Sequence, residues 1–303
     1  MRARFVCSII VVIYIGFFGA HLAAQDLGPH FKKIKDGIFV YAAKLNDPNC
    51  TIIQTQDGVV LIDSGNNPTD SLAVMKAIKQ LTPQPVRYLI DTEPHSDHTT
   101  GHFVFSPPSL IVAHAGARDP MKKAFNPKRN EKLMAESAEM RDAFKGFRLV
   151  TPHIEYRDKL VLNVGDRNFE LYYLKNVHSE ADSAIWLPKE RVLFTAASVS
   201  VKRFNNLREF VSIPDTLSAI RMMKALQPEV VIPGHGDPGT VRILDDMEKY
   251  YTTLLERVGA MAKQGKSLAD IKKELKIPGT EDWEGKDRYP NNVEAAYRAV
   301  MGK

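Results

Sequence analysis

Apolar and polar positions along this chain follow two periods, and the switches between them mark out strands and helices. Two β-type runs come first, Gly37-Ile38-Phe39-Val40-Tyr41 and Thr51-Ile52-Ile53-Gln54-Thr55. Gln56-Asp57-Gly58 reads as a hairpin turn into a third, Val59-Val60-Leu61-Ile62. Pro68 opens a helix whose expected core-facing stripe is Leu72, Met75, Ile78 and Leu81. Strands are expected at 86–90 and 110–113. Residues 119–150 break the rhythm: they are charged, with a helix expected from about Asn130 to Phe144 and Met134 and Met140 as its apolar points. Alternation returns at 159–162 and 168–173, then in a hairpin of 184–187 and 191–194 turned by Pro188-Lys189-Glu190. A helix beginning near Pro214 carries Leu217, Ile220, Met223 and Leu226, and it feeds the apolar strand Glu229-Val230-Val231-Ile232. The tail reads as helices at 243–263, 268–275 and 291–301, with Trp283, Tyr289 and Tyr297 expected to pack it onto the body.

The amino-terminal stretch belongs to neither period. A basic head, Met1-Arg2-Ala3-Arg4, precedes an apolar run to about Ala20 and the small-residue ending Leu22-Ala23-Ala24. This pattern predicts a signal peptide over 1–24 and a periplasmic or secreted protein, with a membrane anchor as the alternative if the segment is not cleaved. Residues 25–303 contain no linker-like stretch, charge block or repeat, and read as one domain with a helical tail. Cleavage after Ala24 removes Arg2 and Arg4 and takes the net charge from +5 to +3. So mild and even a bias gives no footprint for nucleic acid. Cys50 is then the sole cysteine, which excludes an intrachain disulfide, and its setting before an apolar strand predicts a small buried residue.

Candidate chemistry concentrates directly after the strand at 86–90. There Glu93-Pro94-His95-Ser96-Asp97-His98 puts three strong metal-binding side chains, His95, Asp97 and His98, within four residues, with Glu93 two places earlier. One turn at a strand end can splay such groups toward two adjacent ions. Imidazole with carboxylate suits zinc above iron or manganese. His102 and His114, nearby, are expected to be structural.

This segment resembles the His-x-His-x-Asp-His signature of the metallo-β-lactamase-fold hydrolases, with Glu93 standing in place of the first His. The resemblance extends over nearly the whole mature chain, through Asn176-Val177-His178-Ser179-Glu180-Ala181-Asp182-Ser183 and Pro233-Gly234-His235-Gly236-Asp237. It implies an α/β fold, the four-layer αββα sandwich. It also implies one or two zinc ions per chain, the first on Glu93, His95 and His178 and the second on Asp97, His98 and His235. Asp63, in Asp63-Ser64-Gly65, would support the metal loops or make ordinary turn bonds, and Asp182 would orient a ligand histidine. Where many family members have an Asp or Cys metal ligand, this chain has Ala197, followed by Ser198. The run Ala197-Ser198-Val199-Ser200 resembles the third subclass of metallo-β-lactamases, and Ser198 is expected to support the site. The tail resembles exported hydrolases that accompany quinoprotein and sulfur-oxidation systems. In that family the 119–150 region is a variable insertion that can overhang the site; a solvated helical excursion is the alternative.

The activity so implied is hydrolysis of a small molecule: attack on the carbonyl of an ester, lactone, thioester or β-lactam by a zinc-activated hydroxide, with Asp97 as the catalytic residue that binds one metal and orients the nucleophile. Lys202 and Arg203 are candidates to anchor a substrate carboxylate, or are simply solvated. Alternatives are a β-lactamase proper, a mononuclear-metal oxygenase, against which Ala197 argues, and a metal-binding accessory protein without turnover. Glu93 itself either joins the first ion or points away from it.

Overall fold

A computed structural model describes residues 26–44 and 47–302; the expected signal peptide at 1–24 lies outside the described residues. In chain order the first strands are β1 (Phe31–Lys35), β2 (Ile38–Tyr41), β3 (Cys50–Thr55), β4 (Gly58–Ile62), β5 (Val86–Ile90), β6 (Leu110–His114) and β7 (Ile154–Tyr156). They form one seven-stranded sheet in sequential order. The second sheet holds β8 (Lys159–Val164), β9 (Arg167–Tyr173), β10 (Ser183–Leu187), β11 (Val192–Phe194) and β12 (Val230–Ile232), ordered β12-β11-β10-β9-β8. The helices are α1 (Pro68–Leu81), α2 (Ser96–Thr99), α3 (His102–Phe105), α4 (Arg118–Ala124), α5 (Pro127–Glu136), α6 (Ala138–Ala143), α7 (Ile213–Ala225), α8 (Arg242–Lys263), α9 (Leu268–Glu274) and α10 (Tyr289–Met301).

Period-two alternation explains the layering. In β4, Val60 and Ile62 face the same apolar cluster as Ile185 and Leu187 of β10 and Val192 and Phe194 of β11, so this cluster is the seam between the sheets. The intervening residues point outward. Leu61 and Leu89 meet Val74, Ala77 and Ile78 of α1 and Phe105 of α3. Trp186, Leu193 and Val231 meet Leu217 and Ile220 of α7 and Leu254 and Val258 of α8. Helix, sheet, sheet, helix is the four-layer sandwich expected from the sequence.

Pairing changes from antiparallel to parallel at β4, and again between β11 and β12. Parallel neighbours require crossovers, which α1 and α7 provide. Consequently β4, β5 and β12 end on the same side of the molecule, and the loops leaving them carry Asp63, residues 93–98 and His235. Trp283 packs on Phe204 and Tyr250, with ring centroids 5.3 and 4.9 Å apart, and Tyr289 packs on Phe204 at 5.1 Å, so the tail is held as expected. No helix among the described residues is long and apolar enough to cross a membrane.

Three local expectations need correction. The buried face of α1 is Ser71, Val74, Ala77 and Ile78, while Leu72 is 47% exposed. The helix is rolled so that its small residues meet the loop after β5: a Cβ on Gly101 would lie 1.9 Å from Ser71 Oγ. Large apolar residues mark a stripe only where the opposing layer leaves room for them. The single helix expected at 130–144 is instead α5 and α6, broken at Ser137, whose side chain caps α6 by accepting from Met140 N. Strands β1 and β7 were not anticipated: β1 is a lysine-rich edge and β7 has only three residues, too few to set a period.

The roll of α1 makes a direct prediction. Leu72→Ala should change unfolding free energy by no more than about 0.5 kcal/mol. Ile78→Ala, which removes a side chain 2% exposed, should cost about 2–5 kcal/mol. Urea denaturation of both variants decides it, and a cost for Leu72→Ala as large as that for Ile78→Ala would restore the stripe read from the sequence.

Candidate metal centre

The segment after β5 is built to send neighbouring side chains in different directions. His95 is the N-cap of α2 in extended conformation (φ −67°, ψ 151°), and its carbonyl accepts from the amides of His98 (3.0 Å) and Thr99 (3.1 Å). Successive helical residues are about 100° apart, so Asp97 and His98 leave the turn along lines different from His95. The six expected residues come together as two groups, Glu93 with His95 and His178, and Asp97 with His98 and His235. Within each group the candidate donor atoms all lie within 4.8 Å of one another. The imidazoles of His95 and His178 stand edge-to-face at 5.0 Å, and those of His98 and His235 at 5.3 Å.

Glu93 lies between the groups and is buried. One oxygen, Oε2, contacts His95 Nδ1 and lies 3.6 Å from His178 Nε2; the other, Oε1, lies 3.1 Å from His98 Nε2. Burial opposes its charge, but His98, His178 and His95 together hold its carboxyl well below the usual carboxylate range. Burial likewise opposes charge on His98, yet Glu93 and then Asp63 push its pKa up to about 10. The field at this point therefore favours a cation. Burial takes His178 down to about 3, which leaves it neutral with a lone pair to donate.

The donor set fits metal ions. Glu93 Oε1, His98 Nε2 and His178 Nδ1 are buried without a hydrogen-bond partner. Orphaned buried polar atoms are costly, and three of them in one place call for something to bind. Imidazole and carboxylate are the donors that zinc, iron and manganese share.

A second set of contacts fixes the donors. Asp63 has φ of 56°, a left-handed turn rare outside glycine, and it aims the carboxylate back at the metal loop. Its Oδ1 accepts from Thr92 N (2.8 Å), and its Oδ2 from Thr92 Oγ1 (2.7 Å), with His98 Nδ1 at 2.9 Å. Of the two roles open from the sequence, this is the supporting one. Ser64 N and Oγ both bond the carbonyl of His98. Thr92 O accepts from Ser183 N at 2.8 Å, tying this loop to the second sheet. On the far side, Asn49 Nδ2 bonds the carbonyls of Pro233 and Gly236 at 2.8 Å each and so brackets His235. Gly234 has no alternative: a Cβ there would sit 2.4 Å from Ala197 N.

Other expected residues do different work. Asp182 acts on a candidate ligand histidine through the backbone: its carboxylate accepts from the amides of Val177 (3.1 Å), His178 (2.6 Å) and Ser179 (2.7 Å), and so sets the backbone that presents His178. Ser198 does not face the ligands, because its hydroxyl donates to Thr195 O at 2.5 Å within its own 3-10 turn. Lys202 is exposed and paired with Asp282 at 2.6 Å. Arg203 is half-buried and within the electrostatic reach of Asp97. His102 and His114 join neither group: His102 sits between Asp91 Oδ1 and Val150 O at 2.8 Å each, and His114 stacks on Tyr173. Cys50 is buried, as expected.

Two arginines at the site were missed. Arg129 of α5 is half-buried and feels the charge of Asp97. Arg208 Nη1 donates to His178 O at 2.9 Å. Both lie in irregular or inserted segments, where a basic residue carries no sequence signal distinguishing it from a solvated one.

Comparisons with known proteins bear on the family and the fold. Residues 44–235 match the family model described as the metallo-beta-lactamase superfamily. A type 2 metallo-beta-lactamase of Bacteroides fragilis is 23% identical over 36% of this chain and 45% of its own length. The alpha subunit of a 2,4-dinitroanisole O-demethylase from Nocardioides sp. (strain JS1661) is 26% identical over 67% of this chain and 54% of its own. The chain thus spans about half the length of these curated relatives. Among solved structures, a stereoselective inverting sec-alkylsulfatase from Pseudomonas sp. superposes with a TM-score of 0.71 at 20% identity, over 90% of this chain and 50% of that one. A metallo-beta-lactamase from Pontibacter korlensis superposes at 0.58 and 20% identity, over 73% of this chain and 98% of that one.

Asp63→Asn keeps the shape of the side chain but removes the charge behind His98. It should weaken zinc affinity by about 10–100-fold, measured by competition against a chromophoric chelator, with the far-UV circular dichroism unchanged. Unaltered affinity would reduce Asp63 to a turn residue.

Proposed function

The chain belongs to the metallo-beta-lactamase superfamily, whose members bind metal ions and are mostly hydrolases, and from that premise we propose that it is a zinc-dependent hydrolase acting on a carbonyl: an ester, lactone, thioester or β-lactam. The observation that carries this reading is the meeting of six ligand-type side chains in two groups of three. Glu93, His95 and His178 would hold one ion, and Asp97, His98 and His235 the other. Bound zinc supplies Lewis acidity and lowers the pKa of water toward neutrality.

The residues of the chain do the rest. Asp97 differs from Glu93 in keeping a side chain 35% exposed, so its carboxylate can orient an entering water. Neither buried Cys50 nor Ser198, committed to its own turn, offers a nucleophile, so the acyl group passes directly to water. Glu93 turns one oxygen toward each group. With ions bound it would supply the negative charge there that an acid at Ala197 would otherwise bring.

Chelation followed by zinc readdition, with turnover of an ester, lactone, thioester and β-lactam panel, tests the activity. Turnover should vanish and return, and His95→Ala and His235→Ala should each lose orders of magnitude in rate. Wild-type turnover in the double variant would overturn the reading. Zinc analysis tests Glu93 separately. Glu93→Ala should leave less than about one ion per chain, because both groups lose a donor. Loss of one ion alone would confine Glu93 to the first group, and full content would remove it from the centre.

A further inference from the structure

His235 follows the end of β12, and residues 195–201 form a turn against it. The Gly234 amide donates to the carbonyls of Ala196 (2.8 Å) and Val199 (3.3 Å), and the His235 carbonyl accepts from Val201 N (3.2 Å). The turn carries strain. Ala196 has φ of 53°, a left-handed conformation that a residue with a Cβ avoids. Such a backbone persists where its surroundings over-determine it. Part of that support comes from Asn205, whose Nδ2 donates to Ser198 O in the middle of the turn at 2.9 Å and to Tyr251 Oη at 3.4 Å.

Asn205 is held in turn by the tail. Its carbonyl accepts from Asn292 Nδ2 of α10 at 2.8 Å; the same nitrogen donates to Arg288 O at 3.0 Å, and Asn292 Oδ1 accepts from Tyr250 Oη of α8 at 3.0 Å. Beside it the tail runs along the chain before Asn205: Glu284 N donates to Lys202 O (2.9 Å) and Phe204 N to Glu284 O (3.0 Å). Asn205 is 3% exposed and Asn292 0%. Amides this deep in an apolar layer are costly unless bonded. Both donate to backbone carbonyls, so they fix the path of the chain, which an apolar side chain of the same size would not do. Residues after 235 lie outside the stretch that matches the family model. We propose that Asn205 is a positioning residue of the metal centre. Through Ser198 and the left-handed turn it fixes Gly234 and His235, and Asn292 makes the helical tail part of that support. This deepens the metal-binding reading and rests on it.

The experiment reads zinc affinity, by competition against a chromophoric chelator, so that turnover of any particular substrate does not enter. Asn205→Leu keeps the size of the side chain and takes the donor from Ser198 O. It should weaken zinc binding about tenfold, and Asn292→Leu, one bond further out, about threefold. Two controls separate positioning from lost stability. Ile271→Ala, which removes a fully buried side chain of α9 in the same apolar cluster, should lower the unfolding midpoint and leave zinc affinity unchanged. In a His235→Ala background, where that donor is already gone, Asn205→Leu should weaken zinc no further. If Asn205→Leu does not fold, the smaller and still polar Asn205→Ser carries the same comparison. Wild-type zinc affinity in the folded Asn205 variant would overturn the proposal. So would an equal loss in Ile271→Ala or in the His235→Ala background, since the effect would then be general. Failure of the unaltered chain to bind zinc would instead overturn the metal-centre reading, and this proposal with it.

Discussion

A fully buried carboxylate must be met by positive charge or give up its own, and much of this molecule is arranged around that constraint at Glu93. The imidazoles of His95, His98 and His178 surround it; Asp63 lies behind His98, and Asp97 lies beside the further imidazole of His235. Each added acid makes the site a better place for a cation, and each imidazole keeps a nitrogen available to bind one. Without cations the arrangement leaves polar atoms stranded in the interior. With two, each donor has a partner. Metal binding would in this sense make a polar core tolerable.

The layers exist to bring the donors to one edge. Parallel pairing at β4–β5 and β11–β12 sends successive strands out on the same side, so residues more than a hundred positions apart in sequence arrive together. Small residues at the crossings let this happen: Gly101 under Ser71, Gly234 against Ala197. The supporting contacts cross between halves, with Thr92 bonded to Ser183 and Asn49 to the loop of His235. Ordering of one loop therefore helps order the other.

The layered fold and the six meeting side chains were legible because they rest on local pattern. Alternation marks strands that are buried on one face or two, and histidines next to strand ends are conspicuous. What stayed hidden depends on three-dimensional neighbours. The roll of α1 was misjudged because Leu72 looks more like core than Ser71, and only the approach of Gly101 reverses that. For Asp182, spacing cannot tell a carboxylate that holds a histidine by its side chain from one that, as here, holds it by its backbone. Ser198 looked like a site residue because it adjoins Ala197, but a 3-10 turn consumes its hydroxyl. Arg129 and Arg208 could not be told from surface cations, since their partners, Asn66 and Thr100 for the one and His178 for the other, are brought to them only by the fold.

Zinc-edge anomalous diffraction from crystals of the zinc-loaded protein tests the central claim most directly. The account predicts two anomalous peaks, one among Glu93, His95 and His178 and one among Asp97, His98 and His235, with the Glu93 carboxylate between them and an oxygen toward each. A single peak with Glu93 turned away from it, or no peak at either group, would contradict it.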